Sequence, residues 1–415
     1  MNILHLYYHY SRHNWLQSAI DNFECFEKYS HHRIHYCNIA YGIPRYIAKR
    51  DYDLIFIHTS IPSILRWTDF SFEKLVGKMQ SVIHHPAPKV LFCQDEFFKM
   101  GLVVKLIERM NVSHVFSVAN QDQWDTIYGG IDKQNVTIHS VLTGYLDSQI
   151  VSKVQSIAPP PRNIDLGYRA TNVPAWLGRH GKLKVDIAKI VDTHAKKMGL
   201  VTDIKLASQQ SDYIHGFDWY RFLLQCKGVI GVEGGSSLLD VDGSLVKTVE
   251  SYSQKHPSAS YEEIESKCFR GMDGNLKLFA LSPRHLEACL TKTCQILVEG
   301  DYNDILKPNV HYIPLKKDFS NLDEALEIFS HEEKRQEIVQ NAYRDIVESG
   351  AYTYEAFVNH VFQCLPSSNP SLFSAQFTNS RDKFLKYRTQ CELTVAHMLP
   401  TSFQEKLKQI LRGQR

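Results

Sequence analysis

The stretch FALSPRHLEACLTKTCQILVEG, Phe279 to Gly300, reads as a loop, a short helix and a buried strand. Ser282 is a good N-cap, and Pro283 a good first helical residue because the N–H it lacks would have no partner there anyway. Leu286, Cys289 and Leu290 recur at helical spacing and make an apolar stripe. Gln295 to Val298 then forms a short strand ending at Glu299-Gly300. A helix N-terminus offers unpaired N–H groups and a partial positive charge, which suits a phosphate. Arg284 adds a fixed cation, and Glu287, one turn along, could accept hydrogen bonds from sugar hydroxyls. The combination fits a site for a nucleotide diphosphate sugar.

Outward from this stretch the chain alternates strands and helices. On the N-terminal side, strands are expected at Asn2–Tyr8, Arg33–Ile39, Tyr52–His58, Lys89–Cys93, His114–Val118 and Val136–Leu142. Helical spacing lies between them at Trp15–Tyr29, Gly101–Arg109 and Asp122–Tyr128. YDLIFIH (52–58) is apolar almost throughout, as in a strand buried on both faces. Ile157-Ala-Pro-Pro-Pro-Arg162 cannot continue a helix and marks a linker. A second alternation follows: strands at Ile164–Arg169, Asp203–Ala207 and Gly228–Val232, helices at Gly181–Met198 and Trp219–Gln225. This predicts an α/β class with two parallel-sheet, Rossmann-like domains facing across a cleft, where ligands bind at the carboxyl ends of strands. Polar Leu245–Phe269 reads as a helical insertion beside the cleft.

Four segments result: 1–156 and 157–350 as the two domains, a helix in 351–370, and a basic helical tail, 371–415. The tail carries eight lysines and arginines against three acids, a net +5. A basic amphipathic helix of this kind either touches an anionic membrane face or packs on the body with its charges solvated.

Composition excludes several classes. With 415 residues, 43% hydrophobic and 22% charged, the chain can bury more than one core. A net charge of +2 gives no electrostatic case for nucleic acid. No apolar run approaches the roughly 20 residues that span a bilayer, and the N-terminus has no signal-peptide pattern. Nine cysteines without a C-x-x-C pair fit reduced thiols, so a cytoplasmic setting is expected and the sequons at Asn111 and Asn135 carry no meaning. The His31/His32/His35 and His84/His85 groups lack a Cys or acid to complete a metal set. The first strand-to-helix turn has no G-x-G-x-x-G, and no Walker loop or G-x-S-x-G appears. No cofactor is expected.

Several segments in order resemble GT-B glycosyltransferases of the group 1 superfamily, and most closely the glycosyltransferase-like proteins of bacterial polysaccharide loci related to spore maturation proteins. They are IDLGYRATNVPAWLGRHGKLKVDIA (164–188), VEGGSSLLDVDG (232–243), LSPRHLEA (281–288) and ILVEGDYNDILKPNVHYIPLKKDFSN (296–321), with QDEF (94–97) and VLTGYL (141–146) in the first half. The likeness is strongest in the second domain and absent from the tail. It implies a hexosyltransferase-type enzyme of surface polysaccharide synthesis that needs no metal, with a nucleotide-sugar donor in the second domain. A glycan or lipid-linked acceptor would face the first, and a helix near Tyr354–Cys364 would cross back to it. The basic tail would be the element reaching the inner face of the plasma membrane.

The resemblance also assigns residues. Arg169 and Lys182 would neutralise the departing diphosphate, unless they form ordinary salt bridges. Glu233, Gly234, Gly235 and Ser236 would approach phosphate or sugar, and Ser282, Arg284, His285 and Glu287 would hold the donor, with Glu287 on the ribose. Glu299 would contact base or sugar. Asp95, at a strand end, would be the base of an inverting transfer; a retaining transfer would not need it. Asp240-Val-Asp242 has the form of a metal–diphosphate pair, but a hydrogen-bonding loop fits two domains better. A nucleotide-sugar epimerase and a non-catalytic sugar- or partner-binding protein are the alternative functions. Donor base, acceptor, stereochemistry and oligomeric state are not legible.

Overall fold

Short apolar runs such as Leu54–Ile57 and Lys89–Phe92, buried at every residue, can be satisfied only in the middle of a sheet covered on both faces. The computed structural model describes residues 1–9, 17–207 and 212–365. In it, the first six strands are β1 (Asn2–Tyr7), β2 (Arg33–Asn38), β3 (Leu54–Ile57), β4 (Lys89–Phe92), β5 (Val112–Ser117) and β6 (Thr137–Ser140). They form one sheet in the order β2-β1-β3-β4-β5-β6, with every pair parallel.

The second parallel sheet uses β7 (Ile164–Thr171), β8 (Thr202–Ala207), β9 (Cys226–Gly231), β12 (Cys294–Val298) and β13 (Ile313–Leu315), in the order β13-β12-β9-β7-β8. Between β9 and β12 a small antiparallel ribbon pairs β10 (Gly234–Ser236) with β11 (Leu278–Ala280). Two α/β domains with parallel sheets are therefore present, as expected. The chain leaves β7 for β8 on one side and returns for β9 on the other. That reversal opens a crevice at the carboxyl ends of β7 and β9.

The helical insertion is also present, as Ser244–Lys255 and Tyr261–Cys268. Its role was not legible. Leu245, Val246, Val249, Ile264 and Phe269 share one apolar core with Met100, Val103 and Leu106 of the first domain. A short backbone ladder joins the same regions: Asp240 N–H donates to Phe97 O (2.8 Å), Lys99 N–H to Asp240 O (2.6 Å) and Gly101 N–H to Val241 O (2.9 Å). The domains are thus latched on one side of the crevice.

The proline stretch is no free tether either. The Arg162 guanidinium donates to Thr291 O (2.6 Å), Lys292 O (3.0 Å) and Thr293 Oγ1 (3.1 Å). The helix Tyr354–Cys364 lies on the first sheet, where Tyr354, Phe357, Val358 and Val361 pack with Ile3, Phe26, Phe56 and Phe92. The basic tail, 371–415, lies outside the described residues, as does the start of the helix expected from Trp15.

Asp240 holds the latch from within. Its two carboxylate oxygens accept Gly243 N–H (2.8 Å) and Val246 N–H (2.9 Å) at the start of the helix Ser244–Lys255. Asp242 accepts Ser244 N–H. The D-x-D pair therefore caps a helix. Asp240→Ala should cost about 1–2 kcal/mol, the value of a lost cap, read as a lower urea midpoint.

Candidate active site

The end of β9 runs into Val232-Glu233-Gly234-Gly235 at the crevice. Gly235 has φ +100°, and a Cβ there would lie 1.9 Å from Leu278 O, so only glycine fits. The helix Gly178–Lys197 packs over this turn with His180 and Lys184 on its inner face. His180 Nε2 lies 3.1 Å from Glu233 O and 3.2 Å from Gly234 O, so this nitrogen carries the proton and donates. Its ring stacks on Phe279 at 4.0 Å. Burial pushes its pKa down to about 3, and it stays neutral near pH 7.

Lys184 Nζ donates to Gly235 O at 3.1 Å. Burial, and then repulsion from Arg284, bring its pKa down to about 8, while Asp95 of the first domain works the other way. One cation on the second domain, a neighbouring guanidinium and a carboxylate from across the crevice therefore share one electrostatic neighbourhood. Asp95 follows β4, is exposed, and has φ +53°. A non-glycine residue held left-handed at a strand end points to function. Its carbonyl accepts from Arg66 NH1.

The neighbouring acid has a different task. Glu96 is fully buried and accepts from Val118 N–H (2.9 Å), Ser117 Oγ and the Tyr128 hydroxyl. It fixes the loop that carries Asp95. From the same domain, Thr143 Oγ1 donates to Leu281 O (2.6 Å), and Gly144 lies so close to Pro283 that a Cβ would come within 2.6 Å of its ring.

Several expected residues stand elsewhere than anticipated. Arg169 is taken by Asp203 at 2.6 Å and lies over the Phe222 ring, because its side chain leaves β7 toward the helix Phe217–Gln225. Lys182 pairs with Asp186 one turn along the same helix, at 2.6 Å. Ser236 is buried, its one hydroxyl proton within reach of Leu177 O and Leu238 O. Ser282 and His285 close a capping box on each other, which uses up part of the helix start that was to meet a phosphate. His285 is buried. Glu287 accepts from Trp219 Nε1 (2.7 Å) and from the Tyr220 hydroxyl (3.3 Å), so it ties two helices together rather than lying open for a ribose.

Glu233 is buried, accepts Tyr302 N–H at 2.7 Å, and is pushed by burial up to about 7. Gly234 and Gly235 follow the end of β9 and are half-buried, Arg284 is exposed with NH1 on Arg169 O (2.6 Å), and Glu299 is exposed at the end of β12.

Lys184 and His180 were missed. The signal was there: 180, 184, 187, 188, 191 and 195 recur at helical spacing, and a lysine on that apolar stripe needs a reason.

No family model matches the chain, and no curated protein matches it. Solved structures are similar to it only remotely. Staphylococcus aureus TarM, in a complex with UDP, is 13% identical with a TM-score of 0.43 over 75% of this chain. The chain spans only about half (54%) of that protein's length. HepE from Anabaena, in complex with UDP and glucose, is 12% identical with a TM-score of 0.45, covering 88% of this chain and 98% of that one. Sucrose-phosphate synthase from Thermosynechococcus elongatus is 12% identical, also at 0.45, covering 87% and 97%. Among the described residues, no helix is long and apolar enough to cross a membrane.

Proposed function

We propose that this chain is a glycosyltransferase that moves a hexosyl group from a nucleoside diphosphate to a hydroxyl of a glycan or lipid-linked sugar in surface polysaccharide assembly. The observation that supports the reading is the bond of Lys184 to the Gly235 carbonyl, with the charges of Arg284 and of Asp95 from the first domain acting on the same ammonium. Residues 157–350 would hold the donor and 1–156 the acceptor. The diphosphate would lie on the Lys184 ammonium, the Arg284 guanidinium and the glycine backbone. As the glycosidic bond to phosphate breaks, negative charge grows on the leaving oxygen, and fixed cations stabilise it.

Asp95 would take the proton of the attacking hydroxyl, with inversion at the sugar carbon. Asp240 and Asp242 are occupied as caps, and the cations supply the charge that a D-x-D metal would, which favours a metal-independent reaction. The latch between 97–101 and 240–241 fixes the distance across which this happens.

Thermal unfolding with UDP, GDP, CDP or TDP, with and without Mg²⁺, tests the reading. One diphosphate at about 100 times its Kd should stabilise by about 2.7 kcal/mol, irrespective of Mg²⁺. No shift with any of them sinks it. Acceptor-dependent release of the diphosphate then separates transfer from epimerisation.

A further inference from the structure

Trp67 ends the helix Ser60–Trp67 and is 44% exposed, although the aromatic rings around it are buried. Its indole lies 5.0 Å from the Phe98 ring, 6.2 Å from Phe97 and 6.1 Å from Trp176, all of them buried. Phe97 and Phe98 belong to the loop after β4, Trp176 to the second domain. The ring is therefore backed from both domains and open on its remaining side.

Its place is fixed relative to Asp95. The preceding residue, Arg66, is 1% exposed, and its guanidinium donates to the Asp95 carbonyl and to Pro62 O. Asp69, two residues on, is exposed. An exposed aromatic ring backed by three buried ones, with exposed Asp69 two residues along and Asp95 tied to Arg66 next to it in the chain, is suited to a sugar ring. The C–H groups on one face of a pyranose carry partial positive charge and meet the negative face of the indole. The hydroxyls around the rim donate to carboxylates. A lipid chain would instead need a continuous apolar groove, and Thr68 and Asp69 interrupt one here.

We propose that Trp67 is the stacking platform for the acceptor, and that the acceptor is a pyranosyl glycan whose hydroxyl is brought to Asp95. This rests on the transferase reading, but it can fail separately.

The test uses the full chain and a panel of methyl glycosides of glucose, galactose, mannose and N-acetylglucosamine, followed by tryptophan fluorescence and saturation-transfer NMR. A glycoside should perturb the emission of the native protein. Trp67→Ala should weaken its binding about tenfold, and Trp67→Phe by no more than about threefold, since a smaller ring keeps the stacking. Nucleoside diphosphate binding should be unchanged in both variants, which also shows that they are folded. The platform is overturned if Trp67→Ala binds the glycosides as the native protein does. It is also overturned if native protein that binds a nucleotide takes none of them. Glycoside binding that depends on Trp67 without any nucleotide binding would keep the platform and remove the transferase.

Discussion

Lys184→Ala is expected to lower sugar transfer about 10²–10³-fold, the usual effect of removing one fixed group that stabilises charge growing in the transition state. The ammonium is held against Gly235 O at 3.1 Å, so little reorganisation is needed when the phosphate charge appears. Lys182→Ala should change the rate by less than about twofold, because that residue is held by Asp186 one turn along its own helix. A rate assay on both variants decides between the two lysines; equal effects would remove Lys184 from the site.

The same group gives a pH signature. Its pKa in the folded protein is about 8, against 10.5 for a free lysine. Diphosphate affinity should therefore fall as pH rises through about 8, where the charge is lost. Lys184→Arg, which stays charged, should flatten that fall. Stability moves the other way. Between about 8 and 10.5 the unfolded chain binds more protons at this residue than the folded one. Its unfavourable contribution is thus full below 8 and is relieved as pH rises through this window. Binding measured by calorimetry and unfolding measured by urea across that window should show opposite slopes for this group.

The second large effect is on folding. Gly235→Ala should cost about 3 kcal/mol or more, because the new Cβ meets a backbone carbonyl that cannot move without breaking the β10–β11 ribbon. The contact is 1.9 Å to Leu278 O, at φ +100°. Gly234→Ala is the control: its nearest neighbour would be Ala280 O at 3.4 Å, an ordinary contact, and its cost should stay under about 1 kcal/mol. Urea midpoints of the two variants compare them directly. A tolerated Gly235→Ala would mean that the turn under Lys184 is not the one described.

Much of the architecture was legible in local pattern. Buried parallel strands are short apolar runs, and helices between them repeat at their own period, so all six strands of the first sheet and four of the five in the second could be read from one-dimensional order; β13, three residues long at the edge, was too short to show. Helix starts were legible too, as at Ser282-Pro283. The helix Ser60–Trp67 was not read, although Ile61, Ile64 and Leu65 stand at helical spacing, because it is short, eight residues, and carries Pro62 in its first turn.

For the site, residue type and neighbourhood in the sequence were enough to locate the crevice. They brought forward Gly235 and Arg284 and, from the first domain, Asp95, the residues that bond or act electrostatically on Lys184. They did not say which way a side chain leaves its strand or helix. Two residues along a helix turn a lysine from one face to the other, which is the difference between Lys182, paired with Asp186 on its own helix, and Lys184, bonded to Gly235 O. The same holds for Glu287, whose partners Trp219 and Tyr220 lie 68 and 67 residues away in the chain.

By itself, then, the sequence determined the α/β class, the two parallel-sheet domains and all but the edge strand β13 of their sheets, because periodicity and turn chemistry are local properties. The tertiary structure alone decided which charges are spent on one another, as Arg169 on Asp203, and which face the crevice, as Lys184 and Asp95 do. It also decided that the insertion latches the domains. Charge pairing and packing depend on distances between residues remote in the chain, and no local pattern encodes those distances.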